Sequence, residues 1–180
     1  CNLVYPLFLV GNMIYDSPLV ENCFIRQENV MPSSRFLFLN VGHSIDHLFM
    51  LMFPAVAALA AADLSASYGE VLKLATGSFI AFGVFSLPMG WLADRLSREF
   101  MMTVFFLGIG VAMILTGFSN EEWQIFVSLI LVGMFAAIYH PVGLAMVSQG
   151  GGDVGRRLGV NGVWGNMGEA ASALSGGVFA

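Results

Sequence analysis

The chain has 180 residues, of which 57% are hydrophobic and 11% charged, and its mean hydropathy is +0.79. Soluble domains carry about 25% charged residues, so the composition excludes an ordinary soluble domain and indicates a membrane protein. The formal net charge of -5 supports no inference about a partner, because orientation in a bilayer follows lysines and arginines and depends little on acidic residues.

The leading segment does not resemble a membrane span. The stretch CNLVYPLFLVGNMIY is apolar over only about 15 residues, contains Pro6 and lacks the basic start of a signal peptide. Cys1 and Cys23 have neither the spacing of metal ligands nor a disulfide-rich context, so we interpret them as incidental. Met31 resembles a natural start, and we expect residues 1–34 to be an N-terminal extension without a function.

Five apolar runs follow, each near the length of about 20 residues that crosses a hydrocarbon core of roughly 30 Å. These predicted spans, numbered one to five, cover approximately residues 36–62, 74–93, 100–118, 123–148 and 158–180. Because the polar breaks between them are short, consecutive helices are predicted to be antiparallel neighbours. The chain is therefore predicted to be an all-α polytopic membrane protein that ends inside its fifth span.

Basic residues predict the orientation of these spans. The same ends of the spans carry five arginines: Arg35, Arg95, Arg98, Arg156 and Arg157. The opposite loops carry only Lys73. By the positive-inside rule, the arginines and the N-terminus are expected to lie in the cytoplasm.

Span one contains NVGHSIDHLFMLMFP, in which polar residues share one stripe of the helix. Asn40, His43 and His47 fall at positions i, i+3 and i+7, and Asp46 lies three residues after His43. Asn40 is predicted about 6 Å inside the span and His47 about 16 Å, close to the midplane. Ionisable groups at that depth are costly and normally face a cavity or one another. The stripe indicates either a path for substrate or protons, or a polar pair that only packs helices.

A metal site is the third interpretation of this stripe. His43 and His47 place two imidazoles on one face, and Asp46 is a possible third ligand. A metalloprotease helix needs glutamate directly after the first histidine, where Ser44 stands, and diiron membrane oxygenases need many histidines where this chain has three. We therefore expect neither a metal ion nor an enzyme.

Span four contains AAIYHPVG. His140 is predicted about 24 Å from the outer end of this span, at a depth comparable with that of Asn40 and His43. Pro141 removes a backbone hydrogen bond and is expected to bend the helix, which would expose carbonyls toward a cavity beside Tyr139 and His140. Alternatively, His140 only satisfies one of those carbonyls.

Span five carries a predicted face of small residues for close helix contact: Gly159, Gly162, Gly165 and Gly168. Asn161, Gly165 and Glu169 share one helical face, and Glu169 lies about 16 Å into the span, level with Asp46 and His47. A carboxylate in that medium can bind and release protons in the working range. Glu169 is therefore the predicted proton-coupling group, with Asp46 and His47 as a relay. The alternative is a permanent hydrogen bond to a neighbouring helix.

The loop between spans two and three reads GWLADRLSREF. Its residues reproduce a G-x-L-a-D-r-x-G-r-k signature at six positions: Gly90, Leu92, Ala93, Asp94, Arg95 and Arg98. Signature and position resemble the major facilitator superfamily, with departures at Ser97 and Glu99. The charges alone are equally typical of a positive-inside anchor.

The resemblance implies a conformational latch in this loop. Asp94 would accept hydrogen bonds from the N-terminal amides of a helix in the other half of the protein, where the helix dipole favours negative charge. Arg95 and Arg98 would pair with carboxylates, and Gly90 would allow close backbone approach. Such contacts would exist in the outward-open state and break in the other.

Three stretches, NVGHSIDHLFMLMFP, IYHPVG and RRLGVNGVWGNMG, resemble the fosmidomycin-resistance-type branch of that superfamily. The resemblance implies twelve spans in two halves that work by alternating access. Residues 35–180 would then be the N-terminal half, truncated in the fifth span, in a bacterial inner membrane. Its expected partners are a small-molecule substrate, protons, the lipid bilayer and the C-terminal half, and neither a nucleic acid nor a cofactor is expected.

The function predicted from these features is proton-coupled efflux of a small organic or drug-like solute. The residues predicted to shape the substrate cavity are Asn40, His43, Tyr139, His140 and Asn161. The antiporter signature of the family matches span five only at Gly168, Gly176 and Gly177, so the direction of transport stays open. The alternatives are a membrane sensor with a transporter-like fold and a histidine-based membrane metalloenzyme.

Overall fold

The computed structural model of the chain describes residues 31–179. The expectations for Cys1, Cys23 and most of the N-terminal extension therefore lie outside the described residues. The described part is helical throughout its regular elements: α1 (Ser33–Asp63), α2 (Tyr68–Leu74), α3 (Thr76–Arg95), α4 (Arg98–Gly117), α5 (Glu122–Ala136), α6 (Tyr139–Gln149) and α7 (Val154–Phe179). The predicted all-α fold is confirmed.

Four units of the described chain are helices long and apolar enough to cross a membrane. They are α1, α2 with α3, α4, and α5 with α6, which correspond to predicted spans one to four. Helix α7 has 26 residues, or about 39 Å, which is long enough to span. Its glycines, asparagines and Glu169 lower its hydropathy, so the predicted fifth span is supported by its length alone.

The second span begins earlier than predicted. Residues 63–73 were expected to form a polar break, but α2 begins at Tyr68. The Ser67 backbone N–H donates to the Glu70 carboxylate at 2.9 Å, and the Glu70 N–H donates to the Ser67 hydroxyl at 3.3 Å. This reciprocal pair is a capping box, which the S-x-x-E pattern of the sequence already signals.

The capping box predicts a modest effect of Ser67→Ala. Loss of the hydroxyl leaves the Glu70 N–H only the Ser67 carbonyl at 3.0 Å as its acceptor. The lost side-chain cap should lower stability by about 1 kcal/mol and the melting temperature by about 2–4 °C. Thermal unfolding of the purified protein in detergent measures this shift. Glu70→Gln keeps an acceptor for the Ser67 N–H and should melt within about 1 °C of the wild type. Equal melting of Ser67→Ala and wild type would contradict the assignment.

The predicted bend in the fourth span is present as a break between α5 and α6. Ala137 and Ile138 form a turn. They precede Pro141 by four and three residues, respectively. Pro141 has no N–H to donate to the Ala137 carbonyl, and its ring crowds that carbonyl. The helix therefore breaks upstream of the proline, and α6 restarts at Tyr139, whose side chain is completely buried.

Helix α7 packs along α1 through a stripe of buried residues at spacings of three and four: Asn161, Gly165, Gly168, Ser172 and Gly176. At Gly168 the α1 backbone is so close that a Cβ atom would collide with the Ser44 carbonyl oxygen. A Cβ atom at Gly176 would collide in the same way with the Ala55 carbonyl. Small residues in this stripe allow the two backbones to touch.

The predicted small-residue face of span five was wrong at two positions. Nothing among the described residues lies within 4 Å of a Cβ atom placed on Gly159 or Gly162. Residues four and seven positions after Asn161 lie on the same face of α7, so Gly165 and Gly168 contact α1. Gly159 and Gly162 lie on a different face of the helix.

Three of the predicted cytoplasmic arginines make contacts at the same end of the bundle. Arg35 at the start of α1 pairs with Glu99 at the start of α4. Arg98 donates to the side chain of Gln149 at the end of α6. Arg157 on α7 donates to two backbone carbonyls at the end of α6, at 3.0 and 3.2 Å. The helices therefore alternate in direction, and the cytoplasmic location of this end stays a prediction.

Candidate functional site

Polar side chains from α1, α6 and α7 meet inside an otherwise apolar bundle. The members of this polar cluster are Asn40, His43, Asp46 and His47 on α1, Tyr139 and His140 on α6, and Asn161 and Glu169 on α7. Every residue that the sequence predicted for proton coupling or for the substrate cavity is in this set. Spacing along single helices had predicted the stripes, and the packing of α1 against α6 and α7 brings them together.

Asn161 is the hydrogen-bonding centre of the most buried part of the cluster, the deep layer, which consists of Asn40, Tyr139 and Asn161. Its side chain is completely buried and donates to Asn40 Oδ1 at 2.9 Å and to the Tyr139 hydroxyl at 3.0 Å. The Tyr139 hydroxyl in turn donates to the Leu39 carbonyl at 2.7 Å. One amide therefore connects α7 with both α1 and α6.

Loss of the Asn161 side chain should weaken the packing of these three helices. Asn161→Ala leaves buried Asn40 without its donor and should cost about 1–3 kcal/mol of unfolding free energy. Equilibrium unfolding in mixed detergent and SDS micelles, followed by tryptophan fluorescence, measures this cost. Asn166 is exposed on the same helix, so Asn166→Ala is the matched control and should stay within about 0.5 kcal/mol of wild type. Equal stability of the two variants would contradict the role of Asn161.

His43 lies between the deep layer and the rest of the cluster. Its Nδ1 is 2.8 Å from the backbone carbonyl of Asn161, and its ring stacks on Tyr139 with centroids 4.9 Å apart. A Cβ atom on Gly165 would approach the imidazole to 2.9 Å, so the glycine provides the space for the ring. Since a carbonyl only accepts, the Nδ1 of His43 carries the proton.

His47 and Glu169 form a pair between α1 and α7. The His47 Nδ1 is 2.8 Å from a carboxylate oxygen of Glu169. The side chain of His47 is 24% exposed and that of Glu169 is 49% exposed, so the pair lies on an open side of this chain. The prediction that Glu169 lies level with His47 is confirmed.

Asp46 and His140 form the second pair, between α1 and α6. The His140 Nε2 lies 3.3 Å from Asp46 Oδ2. Asp46 is 2% exposed, whereas about a third of His140 is exposed on the same open side as His47. The pairing of His140 with span one was not predicted, because depth along two helices does not show which faces meet.

The three histidines are mutual neighbours as a result. Their ring centroids lie 4.7 Å apart for His43 and His47, 5.4 Å for His43 and His140, and 5.8 Å for His47 and His140. One nitrogen from each ring lies within 4.8 Å of the other two. Two carboxylates and three imidazoles thus lie in one cluster, in which Asp46 and His43 are buried and the side chains of His47, His140 and Glu169 remain partly exposed.

The residues of the predicted latch lie at the arginine end of the bundle. Asp94 and Arg98 line a cleft of about 580 Å³ there, and the Arg95 guanidinium lies 4.3 Å over the ring of Trp91. A Cβ atom on Gly90 would lie 3.3 Å from Pro141, so this glycine allows contact with α6 of the same chain. The contacts of the latch with another half of the protein stay a prediction.

Comparison with known proteins agrees with this architecture. A family model described as Major Facilitator Superfamily matches residues 41–180, which include every member of the polar cluster except Asn40. The chain is 33% identical over 120 residues to the Puromycin resistance protein pur8 of Streptomyces alboniger. That alignment covers 65% of this chain but only 24% of the relative, so the chain spans about a quarter of the relative's length. No solved structure matches the chain.

The family match and the fold agree with the loop signature between α3 and α4. The match covers α1 from Val41 onward and all of α2 to α7. The helices are long and apolar, as a multi-pass membrane protein requires. The chain belongs to the Major Facilitator Superfamily.

Proposed function

We propose that this chain is one half of a secondary transporter that exports a small organic solute by alternating access. The polar cluster carries the proposal, because ionisable groups inside a membrane bundle normally serve a transport path. The similarity to a puromycin resistance protein supports export of a drug-like solute. The proposal includes a C-terminal half that closes the cavity and an inner bacterial membrane with the arginine end in the cytoplasm.

Exposure divides the polar cluster into two layers with different roles in this proposal. Asn40, Tyr139 and Asn161 are at most 3% exposed, so they position the helices behind the cavity. His47, His140 and Glu169 keep part of their side chains exposed, so they are the groups that meet the solute. Solute binding between two halves is the arrangement expected for transporters of this architecture.

Proton coupling through Glu169, Asp46 and His47 stays a prediction. The two pairs, His47 with Glu169 and His140 with Asp46, supply protonatable groups on facing helices. Assignment to the fosmidomycin-resistance-type branch also stays a prediction, since the relative found is a puromycin resistance protein.

The proposed export is tested in cells that express the full-length protein. Puromycin is the first probe, because the relative named for it shares a third of the aligned residues. Energised cells that express the wild type should retain less puromycin than cells without the protein. The reduction produced by Asn166→Ala should be at least about tenfold larger than the reduction produced by Asn161→Ala. Equal accumulation of puromycin and of other drug-like solutes with and without the protein would refute export.

A further inference from the structure

Three buried polar atoms of the cluster have no hydrogen-bond partner within residues 31–179. They are His43 Nε2, His47 Nε2 and Asp46 Oδ1. Buried polar atoms are nearly always hydrogen-bonded, so three unpartnered atoms on two turns of one helix point to a ligand. Asp46 and His43 are more than nine-tenths buried, which makes solvation by bulk water an insufficient explanation.

The hydrogen bonds of two histidines determine what kind of ligand fits. The Nδ1 of His43 faces a backbone carbonyl and the Nδ1 of His47 faces the Glu169 carboxylate, at 2.8 Å in both cases. Both acceptors require a proton on Nδ1, so each neutral ring presents a lone pair at Nε2. Histidines that bind metals show this pattern, with the second nitrogen held by a carbonyl or a carboxylate.

His140 supplies the third imidazole from a different helix. One nitrogen of each ring lies within 4.8 Å of the other two, whereas tetrahedral zinc with Zn–N bonds of about 2.0–2.1 Å needs nitrogens roughly 3.3 Å apart. The required contraction is at most about 1.5 Å, which rotation of the three side chains can provide.

Charge balance favours a divalent ion at this position. A cation in an apolar bundle needs compensating negative charge close by. Asp46 lies 3.3 Å from the ring of His140, and Glu169 lies 2.8 Å from the ring of His47. Two carboxylates neutralise one divalent cation, and imidazole donors select zinc, cobalt or nickel over magnesium or calcium.

We propose that His43, His47 and His140 bind one divalent transition-metal ion, with Asp46 and Glu169 balancing its charge. Sequence reasoning considered His43, His47 and Asp46 of span one as ligands and expected no metal, because Ser44 stands where a metalloprotease helix has glutamate and histidines are few. It did not foresee that α6 brings His140 beside them. Three ligands leave a coordination position open toward the exposed side of His47 and His140, where water or a donor atom of the solute can bind. Metal binding does not require transport, so this inference goes beyond the proposed function.

Direct binding to the purified full-length protein tests the site. The protein is prepared without a histidine tag, with Cys1 and Cys23 replaced by serine, and is stripped with a chelator before titration with Zn²⁺ or Co²⁺. We expect one ion per chain, no binding of Mg²⁺, and the visible spectrum of nitrogen-ligated tetrahedral Co²⁺. The spectrum of hydrated octahedral Co²⁺, or no bound ion, would overturn the proposal.

Two variants assign the bound ion to this cluster. His140→Gln removes a ligand and should weaken Zn²⁺ binding at least about 100-fold, and Glu169→Gln, which alters the partner of a ligand, should weaken it about 10-fold to 100-fold. Ser128→Ala removes a buried polar group in α5 and should bind as wild type does. Unchanged affinity in His140→Gln would overturn the site. Metal binding without solute flux would support this site and refute the transporter.

Discussion

Glu169→Gln is expected to abolish proton-driven transport by the full-length protein while solute binding stays measurable. In the wild type, the His47 Nδ1 lies 2.8 Å from the Glu169 carboxylate. Glutamine has nearly the size of glutamate, and its amide oxygen can still accept this hydrogen bond. It cannot carry the negative charge or take up a proton. The packing of α7 on α1 should therefore survive while the predicted coupling group is lost.

The size of this effect is read from solute-driven proton flux in proteoliposomes, with a pH-sensitive dye inside. We expect the flux to fall at least about tenfold in Glu169→Gln. Glu122→Gln, which changes an exposed carboxylate in the first turn of α5, is the matched control and should transport as wild type does. Undiminished proton flux in Glu169→Gln would remove this residue from coupling.

Gly168→Ala is expected to cause the largest loss of stability among single methyl additions to α7. The added Cβ atom would collide with the Ser44 carbonyl oxygen in the α1 backbone, which cannot rotate away. The two helices must separate to relieve the collision. Separation also lengthens the bonds between Asn161 and Asn40 and between His47 and Glu169. Overpacking of this kind costs about 1–3 kcal/mol.

Gly162→Ala provides a control with the same chemical change on the same helix. No described atom lies within 4 Å of a Cβ atom placed there, so only helix propensity changes. Alanine stabilises a helix interior by about 1 kcal/mol relative to glycine, so Gly162→Ala should be neutral or stabilising. Equilibrium unfolding in SDS micelles should separate the two variants by about 1–4 kcal/mol, with Gly168→Ala the less stable. Equal stability would mean that Gly168 does not bring the backbones into contact.

Much of the fold follows from hydropathy and helical rise. Runs of apolar residues predicted the helices to within a few positions, and the arginines marked one end of the bundle. The start of the second span was misplaced because the capping box at Ser67 was overlooked. The hydropathy of α7 is lower than that of the other predicted spans because α7 contains several glycines and asparagines and Glu169. Asn161, Gly165 and Gly168 lie against α1.

The residues of the polar cluster could be predicted from the sequence, but the contacts between them only in part. Helical spacing gave the depth of each polar residue, and depth alone predicted that Glu169 and His47 lie level. The rotation of one helix against another depends on side-chain packing over its whole length, which spacing does not reveal. This is why the contact of His140 with Asp46 and the open position of Gly162 were visible only in the structure.

Solute accumulation in sealed vesicles tests the transporter proposal most directly. Vesicles containing only the purified full-length protein receive an imposed proton gradient and labelled puromycin. Accumulation above the external concentration, abolished by a protonophore and by Glu169→Gln, is the predicted result. Binding of the solute to the protein without accumulation inside the vesicles would contradict transport and favour a membrane sensor.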